Sequence, residues 1–450
     1  MINKFRIFIA VVVMAASTIT VQSQNGINSP YSRYGFGILS DKAMGFNKAM
    51  SGVSQGFRDG QIINSANPAS YSAVDSLTAL FDFGLSVYNG NYKMGNLQHN
   101  AKNSSFDYAA FHFRASKGFG IALGILPYSN INYNFSSNSK IMEGVEDNIT
   151  SSYKFNGDGG LHKVFLGAGW QIAKPLSLGF NVSYLYGSYN HNMSMSFNES
   201  TINSINRKYN ADISSYLIDL GTQYTININK KDKLVLGATF TPGHEINDNA
   251  YRTTQSINSL SGIISQTSDT ITNAFELPNS VVVGATYYKD NRLSIGADFE
   301  MQKWSDVKFP AQDSENDIRY ISQKGLLYDR YKISLGGSYT PNPNGNRYSQ
   351  LLTYKVGGYY SKSYANADLT GKIADKPFEF GLSAGITIPI INSNIWYNSP
   401  KLNIALQWIH SNIPYMNSNS FKIDKLKENY LKLCISLTFS ERWFYKSKLQ

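Results

Sequence analysis

From Leu77 to its end the chain alternates between apolar and small or polar positions. Leu293, Ile295, Ala297, Phe299 and Met301 fall on one face, and Ser294, Gly296, Asp298, Glu300 and Gln302 on the other. Phe378, Phe380, Leu382, Ala384, Ile386 and Ile388 alternate in the same way, as do Leu431, Leu433, Ile435, Leu437 and Phe439. A period of two is that of a strand with a different solvent on each side. The second face is small or polar rather than merely less apolar, which suits a wet interior opposite a lipid-facing row. A soluble β-sandwich also alternates, but its turns recur about every 8–12 residues and its outer face carries more charge. The pattern predicts an all-β chain, a transmembrane antiparallel barrel of about fourteen strands. They fall at 77–93, 102–116, 118–136, 158–173, 174–197, 208–228, 232–248, 275–289, 291–307, 325–341, 349–365, 376–391, 399–413 and 429–444.

The connections point the same way. After even-numbered strands they are mostly tight, as at Ser116-Lys117-Gly118, Lys174-Pro175, Asn229-Lys230-Lys231 and Lys289-Asp290-Asn291. After odd-numbered strands they are long and polar, as at 137–157, 249–274, 308–324 and 414–428. Short periplasmic turns and long extracellular loops, with both termini periplasmic, are the outer-membrane arrangement. Tyr287 and Tyr288, Trp304, Tyr359 and Tyr360, Trp396 and Tyr397, and Trp443 to Tyr445 sit at strand ends, where amphipathic rings form interfacial girdles.

The first residues read as an export signal. Lys4 and Arg6 precede an apolar core, Ile7 to Ala16, and Val21-Gln22-Ser23 is a small-residue cleavage site, giving a signal peptide over 1–23. Residues 24–76 do not alternate and are rich in Gly, Ser, Asn and Ala. Such a segment either hangs in the periplasm or folds inside the lumen. Its Tyr34, Phe36, Phe46, Val53, Phe57, Ile62 and Ile63 are more apolar than a free tail carries, which favours a plug. The domains expected are therefore a signal peptide 1–23, a plug 24–76 and a barrel 77–450.

Composition adds little that the pattern does not already say. Charged residues are only 16% and aromatic ones 14%, with a mean hydropathy of -0.28, as expected when lipid and lumen rows average out. The net charge of +10 is spread along the chain without a basic block, so it reads as loop and turn solvation, not as nucleic-acid binding. The single cysteine, Cys434, excludes an internal disulfide and a cysteine-based zinc site.

The stretch Gly45 to Ala69, with Gly52, Asp59 and Asn67-Pro68-Ala69, resembles the N-terminal hatch of the long-chain fatty acid transporter family of outer-membrane proteins. Glu276-Leu277-Pro278-Asn279-Ser280-Val281-Val282-Val283-Gly284-Ala285, followed by Leu293 to Asp298 and Gln302-Lys303-Trp304-Ser305, is similar to that family's proline-led strand, hairpin and closing Trp-Ser. The resemblance covers roughly residues 40–310 by motif and implies a plugged outer-membrane barrel in a Gram-negative bacterium. The opening Ser29-Pro30-Tyr31-Ser32-Arg33-Tyr34-Gly35 departs from the fatty-acid transporters. It resembles a Bacteroidota branch whose relatives include the barrel subunit of the type IX secretion translocon.

No enzyme chemistry is expected. The six histidines are scattered, His244-Glu245 lacks a second histidine four residues on, and His410-Ser411 lacks a partner. No cofactor or metal is expected. The plug motif is Asn67, Pro68 and Ala69, the candidate apolar ligand contacts are Phe36, Phe46 and Phe57, and Asp298 and Glu300 are candidate polar groups of the lumen. The partners expected are membrane lipid and lipopolysaccharide, a hydrophobic ligand, or other proteins of an outer-membrane complex. Two functions follow. The first is passive transport of hydrophobic, fatty-acid-like molecules across the outer membrane. The alternative is a non-transporting structural or assembly subunit of a larger outer-membrane machine.

Overall fold

A computed structural model describes residues 29–94, 97–140, 149–258, 260–312, 319–366, 376–390, 400–416 and 423–442. The proposed signal peptide lies outside the described residues, as do Trp396, Tyr397 and Trp443 to Tyr445. The chain forms a closed antiparallel barrel of fourteen strands. They are β1 (Thr78–Met94), β2 (Leu97–Ser116), β3 (Phe119–Pro127, continuing as Ser129–Lys140), β4 (Thr150–Gln171), β5 (Leu176–Phe197), β6 (Ser204–Asn227) and β7 (Asp232–Thr241, resuming as Ala250–Asn258). Then come β8 (Gly262–Ile271, resuming as Ser280–Lys289), β9 (Leu293–Gln302), β10 (Arg330–Tyr339), β11 (Thr353–Lys362), β12 (Phe378–Pro389), β13 (Lys401–Met416) and β14 (Ile423–Arg442). β1 closes the ring against β14, from Thr78 opposite Arg442 to Met94 opposite Leu426. Closure gives every strand of the wall a partner on both sides over at least part of its length, as strands that cross lipid require.

The alternation read from the sequence sets the two faces. Ile295, Phe299, Leu335, Val356 and Leu382 are 40–60% or more exposed on the outside, while Ser294, Asp298, Gln302, Ser383 and Ser436 are buried within. Placing an arginine at Ile295 will cost roughly 2–4 kcal/mol at mid-membrane, against far less for Ser294→Arg toward the lumen. Urea unfolding in lipid vesicles reads this difference, and equal costs would mean that the register is wrong.

Three expectations are corrected. The loops drawn at 249–274 and 308–324 are not loops. Ala250–Asn258 and Gly262–Ile271 form a hairpin that extends β6, with Tyr251 opposite Asn210, and Phe309–Gln312 pairs with Tyr320–Gln323. The first hairpin is polar because both of its faces meet water or a polar lumen, whereas the second is too short for its alternation to show and buries Phe309 and Tyr320 in an aromatic cluster. The runs 232–248 and 275–289 are broken where His244–Ile246 and Phe275–Leu277 leave the wall and pair with each other. Finally, not every aromatic pair is a girdle. Tyr360 is 46% exposed, but its neighbour Tyr359 points inward to Glu379, Tyr288 bonds to the plug, and Trp304 is fully buried. Two consecutive strand residues cannot both face lipid.

One junction of the wall is incomplete. β2 and β3 pair only from Ala109 opposite Ile125 to Ser116 opposite Phe119. Beyond Tyr128, β3 turns away and pairs with β4 alone among the barrel strands. β4 accommodates the bend at Gly159 and Gly160, with φ of 124° and 119°, a region that side chains disfavour.

Candidate functional site

Residues 29–75 lie inside the barrel. Their only regular elements are short turns of helix at Pro30–Arg33, Gly45–Lys48 and Pro68–Ala73 and a two-residue strand at Ile38–Leu39. A segment so poor in internal hydrogen bonding must satisfy its backbone against the wall. It does so along rows of inward-facing glycines. Gly120, Gly169, Gly179 and Gly221 are successive register partners across β3 to β6, and Gly296, Gly336 and Gly357 across β9 to β11. With no side chain there, plug backbone lies directly on wall backbone. A Cβ at Gly179 would fall on Pro68 and Ala69, and one at Gly336 or Gly357 on Met50.

Asn67-Pro68-Ala69 is the centre of this contact. The Asn67 side chain accepts from Ala69 N (3.1 Å), capping the turn Pro68–Ala73. Its amide donates to the carbonyls of Gln55 (3.0 Å) and Thr222 (3.1 Å), tying two plug segments to β6. Asp298 holds the same region from β9, its carboxylate accepting from Ser54 N (2.6 Å) and Gln55 N (3.0 Å). Glu300 has its hydrogen bonds within the wall. It pairs with Arg330 (2.8 Å) and accepts from Gln302. Replacing Gly179 with valine will displace the Asn67–Ala69 turn at a cost of roughly 1–3 kcal/mol. The check is loss of protease resistance of residues 29–75 in folded barrels, with Gly358→Val, whose site is open to lipid-side neighbours, as the control.

The three phenylalanines do not converge. Phe46 and Phe57 pack against each other (5.1 Å between centroids) with Met50, Val53 and Ile62, and the Lys355 ammonium lies 4.0 Å from the Phe46 ring. Phe36 belongs to another cluster. It is fully buried among Phe309 (5.1 Å), Phe275 (5.6 Å) and Trp304 (6.1 Å), and Trp304 packs at a tilt against Tyr364, 4.5 Å between centroids. These rings come from segments that fold inward from the extracellular side, namely the break in β8, the connection after β9 and the connection after β11. They close the outer half of the lumen with an aromatic core. The incomplete junction is filled too: Ile38 and Leu39 pair with Asn130 and Ser129, and Ser32 bonds to both the amide and the carbonyl of Asn132.

Between the plug and β3, β4, β8, β9 and β10 lies a space of about 760 Å³, part of it open to solvent. Its lining is mixed: Asp41, Lys42, Lys163, Glu300, Arg330 and Lys332 face it together with Leu39, Leu126, Tyr128 and Val282. Burial pushes the Asp41 carboxyl up, but Lys332 and Lys48 outweigh it and hold the group below the usual carboxylate range. An apolar molecule placed here would strip water from these groups without replacing it.

Sequence reasoning missed the ionic anchors. Lys48 of the plug meets Asp107 of β2 at 2.5 Å, which also accepts from Ser86 (2.8 Å) and lies 3.5 Å from Lys432. Lys163 pairs with Asp219 at 3.7 Å, and Ser29 donates to Glu428 at 2.6 Å. The available signal was charge at lumen-facing positions of strands otherwise lined by Ser, Thr and Gly. Lys163, Asp219, Glu428 and Lys432 all carry it.

A family model described as BamG matches residues 1–450. No curated protein sequence matches the chain at a significant level. Among solved structures, the fold is similar to a FadL homologue of Pseudomonas aeruginosa (TM-score 0.62, 12% identity, covering 90% of this chain and 99% of that one). It is also similar to the toluene transporter TodX of P. putida (0.58, 14%, 90% and 100%) and to the monoaromatic hydrocarbon channel CymD (0.56, 14%, 91% and 99%). At these identities the likeness is one of fold.

Proposed function

Because the chain belongs to the BamG family, we propose that it is a plugged outer-membrane barrel that serves as a non-transporting subunit of the machinery assembling outer-membrane proteins. The observation that carries this is the filled lumen. The outer half is an aromatic core centred on Phe36, the inner half is a plug laid on glycine rows and held by Asp107 and Asp298, and six charged side chains project into the space between them. A channel for apolar molecules needs an apolar pocket and a path. The family designation also hints at an assembly role. The apolar outer band suits membrane lipid and lipopolysaccharide as surroundings, and the Ser29-Pro30-Tyr31 opening supports a Bacteroidota origin.

A second reading, passage of hydrophobic molecules, is favoured by the fold shared with hydrocarbon channels and by the incomplete β2–β3 junction. Under it, Ile38, Leu39 and the Phe36 core would have to move aside. Purification from native membranes in mild detergent separates the two. The assembly reading expects stable stoichiometric protein partners and no retained apolar ligand. A partner-free barrel carrying such a ligand would overturn it.

A further inference from the structure

The strands differ greatly in height. β9, β10 and β11 have 10 residues each, enough to cross the membrane, whereas β4, β5 and β6 have 22, 22 and 24. At ~3.3 Å per residue and a tilt near ~40°, the excess raises one side of the barrel on the order of 30 Å above the membrane. The last members of this raised sheet are the hairpin strands Ala250–Asn258 and Gly262–Ile271. Ala250–Asn258 is paired on both sides, to β6 and to Gly262–Ile271. Gly262–Ile271 is paired on one side only among the described residues. The next wall strand, β9, ends at Gln302 and pairs instead with Ser280–Lys289 and β10. Among the described residues, Tyr320–Gln323 of the inward hairpin approaches Gly262–Ile271 without forming a ladder with it, and Ser322 donates to the Ala274 carbonyl just past its end (2.9 Å).

A long edge strand in water is normally guarded by lysine, proline or a bulge. Gly262–Ile271 has no lysine or proline, its one irregularity is near the tip, where Ser256 faces Ser265 and Ile257 faces Ile263 so that Ile264 is unmatched, and its one charge, Asp269, is neutralised by two hydrogen bonds from Arg252 on the neighbouring strand (2.9 and 2.7 Å). Its first seven residues are exposed on both faces, and Leu260, Ile263 and Ile264 at the tip are 88%, 58% and 54% exposed, outside the lipid band.

We propose that this edge is a docking site for an extended segment of a different polypeptide, which adds a strand to the raised sheet outside the cell. Unpaired backbone amides and carbonyls select another backbone, not a lipid or a glycan. The uncharged row of Ser265, Gln266, Thr267 and Ser268 selects against a charged segment, and Ile263 and Ile264 call for apolar residues opposite them. A second copy of this chain does not fit. Two copies in one membrane are related by an axis along its normal, so edge strands tilted by ~35–45° would cross at roughly 70–90° and could not share a ladder. The inference rests on the reading of the chain as a complex subunit and names one contact of that complex.

The test uses full-length protein purified from native membranes in mild detergent. Ile263→Lys with Thr267→Lys puts guards on the edge at exposed positions and leaves the barrel untouched. Thr201→Lys, on the exposed tip joining β5 and β6, is the control. The expected result is a drop of roughly tenfold or more in the ratio of one partner to barrel for the double variant, with none for the control. The heat-dependent gel shift of the folded barrel should be unchanged in both. A photo-crosslinker at position 267 should then capture that same partner. An unchanged ratio, or crosslinks only between copies of this chain, overturns the docking site while the subunit reading stands. If the unmodified protein brings down no partner at all, the subunit reading itself fails.

Discussion

Asp107→Ala will destabilise the protein by about 3–5 kcal/mol, the cost of leaving buried charge without its partner. Lys48 and Asp107 are each less than a tenth exposed, and Lys432, on β14, shares the same carboxylate. Asp107 stands where β2 gains a residue against β1, since Gly84 faces Tyr108 and Leu85 faces Phe106. The bulge leaves Asp107 unmatched in the register, and its carboxylate is bound inside by Ser86 and Lys48. Removing it strands one cation on the plug and another on the wall. Urea unfolding in lipid vesicles measures the loss. Adding Lys48→Met to Asp107→Ala should recover part of it, because one of the two stranded charges is gone. A loss under about 1 kcal/mol would mean that water reaches the site and that the plug is held by backbone contact alone.

The second large effect is at Phe36. Phe36→Ala should cost about 3–5 kcal/mol, the range for deleting a fully buried ring whose neighbours relax only in part. Phe275, Phe309 and Trp304 would face the vacated space. This substitution also separates the two functional readings. If Phe36 is structural, the variant unfolds at lower urea and its partner composition changes only as far as folding does. If Phe36 is a ligand contact, stability changes little, and hydrophobic uptake or ligand retention falls instead.

The barrel was legible in the sequence because its wall obeys a local rule. Leu293 to Gln302 or Leu431 to Ser440 can be assigned faces without knowing what lies across the ring. Strand number and the positions of the short turns followed from the same alternation. The rule fails where one face is not lipid. In Ala250–Asn258 and Gly262–Ile271 neither face is, so the period vanished and strands looked like loops. The segment before the barrel stands apart in the sequence because it does not alternate, and Asn67-Pro68-Ala69 within it forms a local turn with its own cap. Its anchors to the wall cannot be read in the same way. The pairing of Lys48 with Asp107, of Ser54 with Asp298 or of Ser29 with Glu428 joins residues far apart in the chain, and only closure of the barrel brings them together. Phe36, Phe46 and Phe57 looked alike in the sequence for the same reason. Ring closure sends the first to the aromatic cap and the other two to the plug's own core.

The central claim is that this barrel serves assembly and not passage. The most direct measurement is acute depletion of the protein, followed by quantitation of newly made outer-membrane proteins alongside uptake of a hydrophobic compound. Folded outer-membrane barrels are expected to decline within the first generations after depletion, while hydrophobic uptake per cell stays unchanged until the membrane itself fails. Normal levels of outer-membrane proteins together with an early, selective loss of hydrophobic uptake would contradict the central claim.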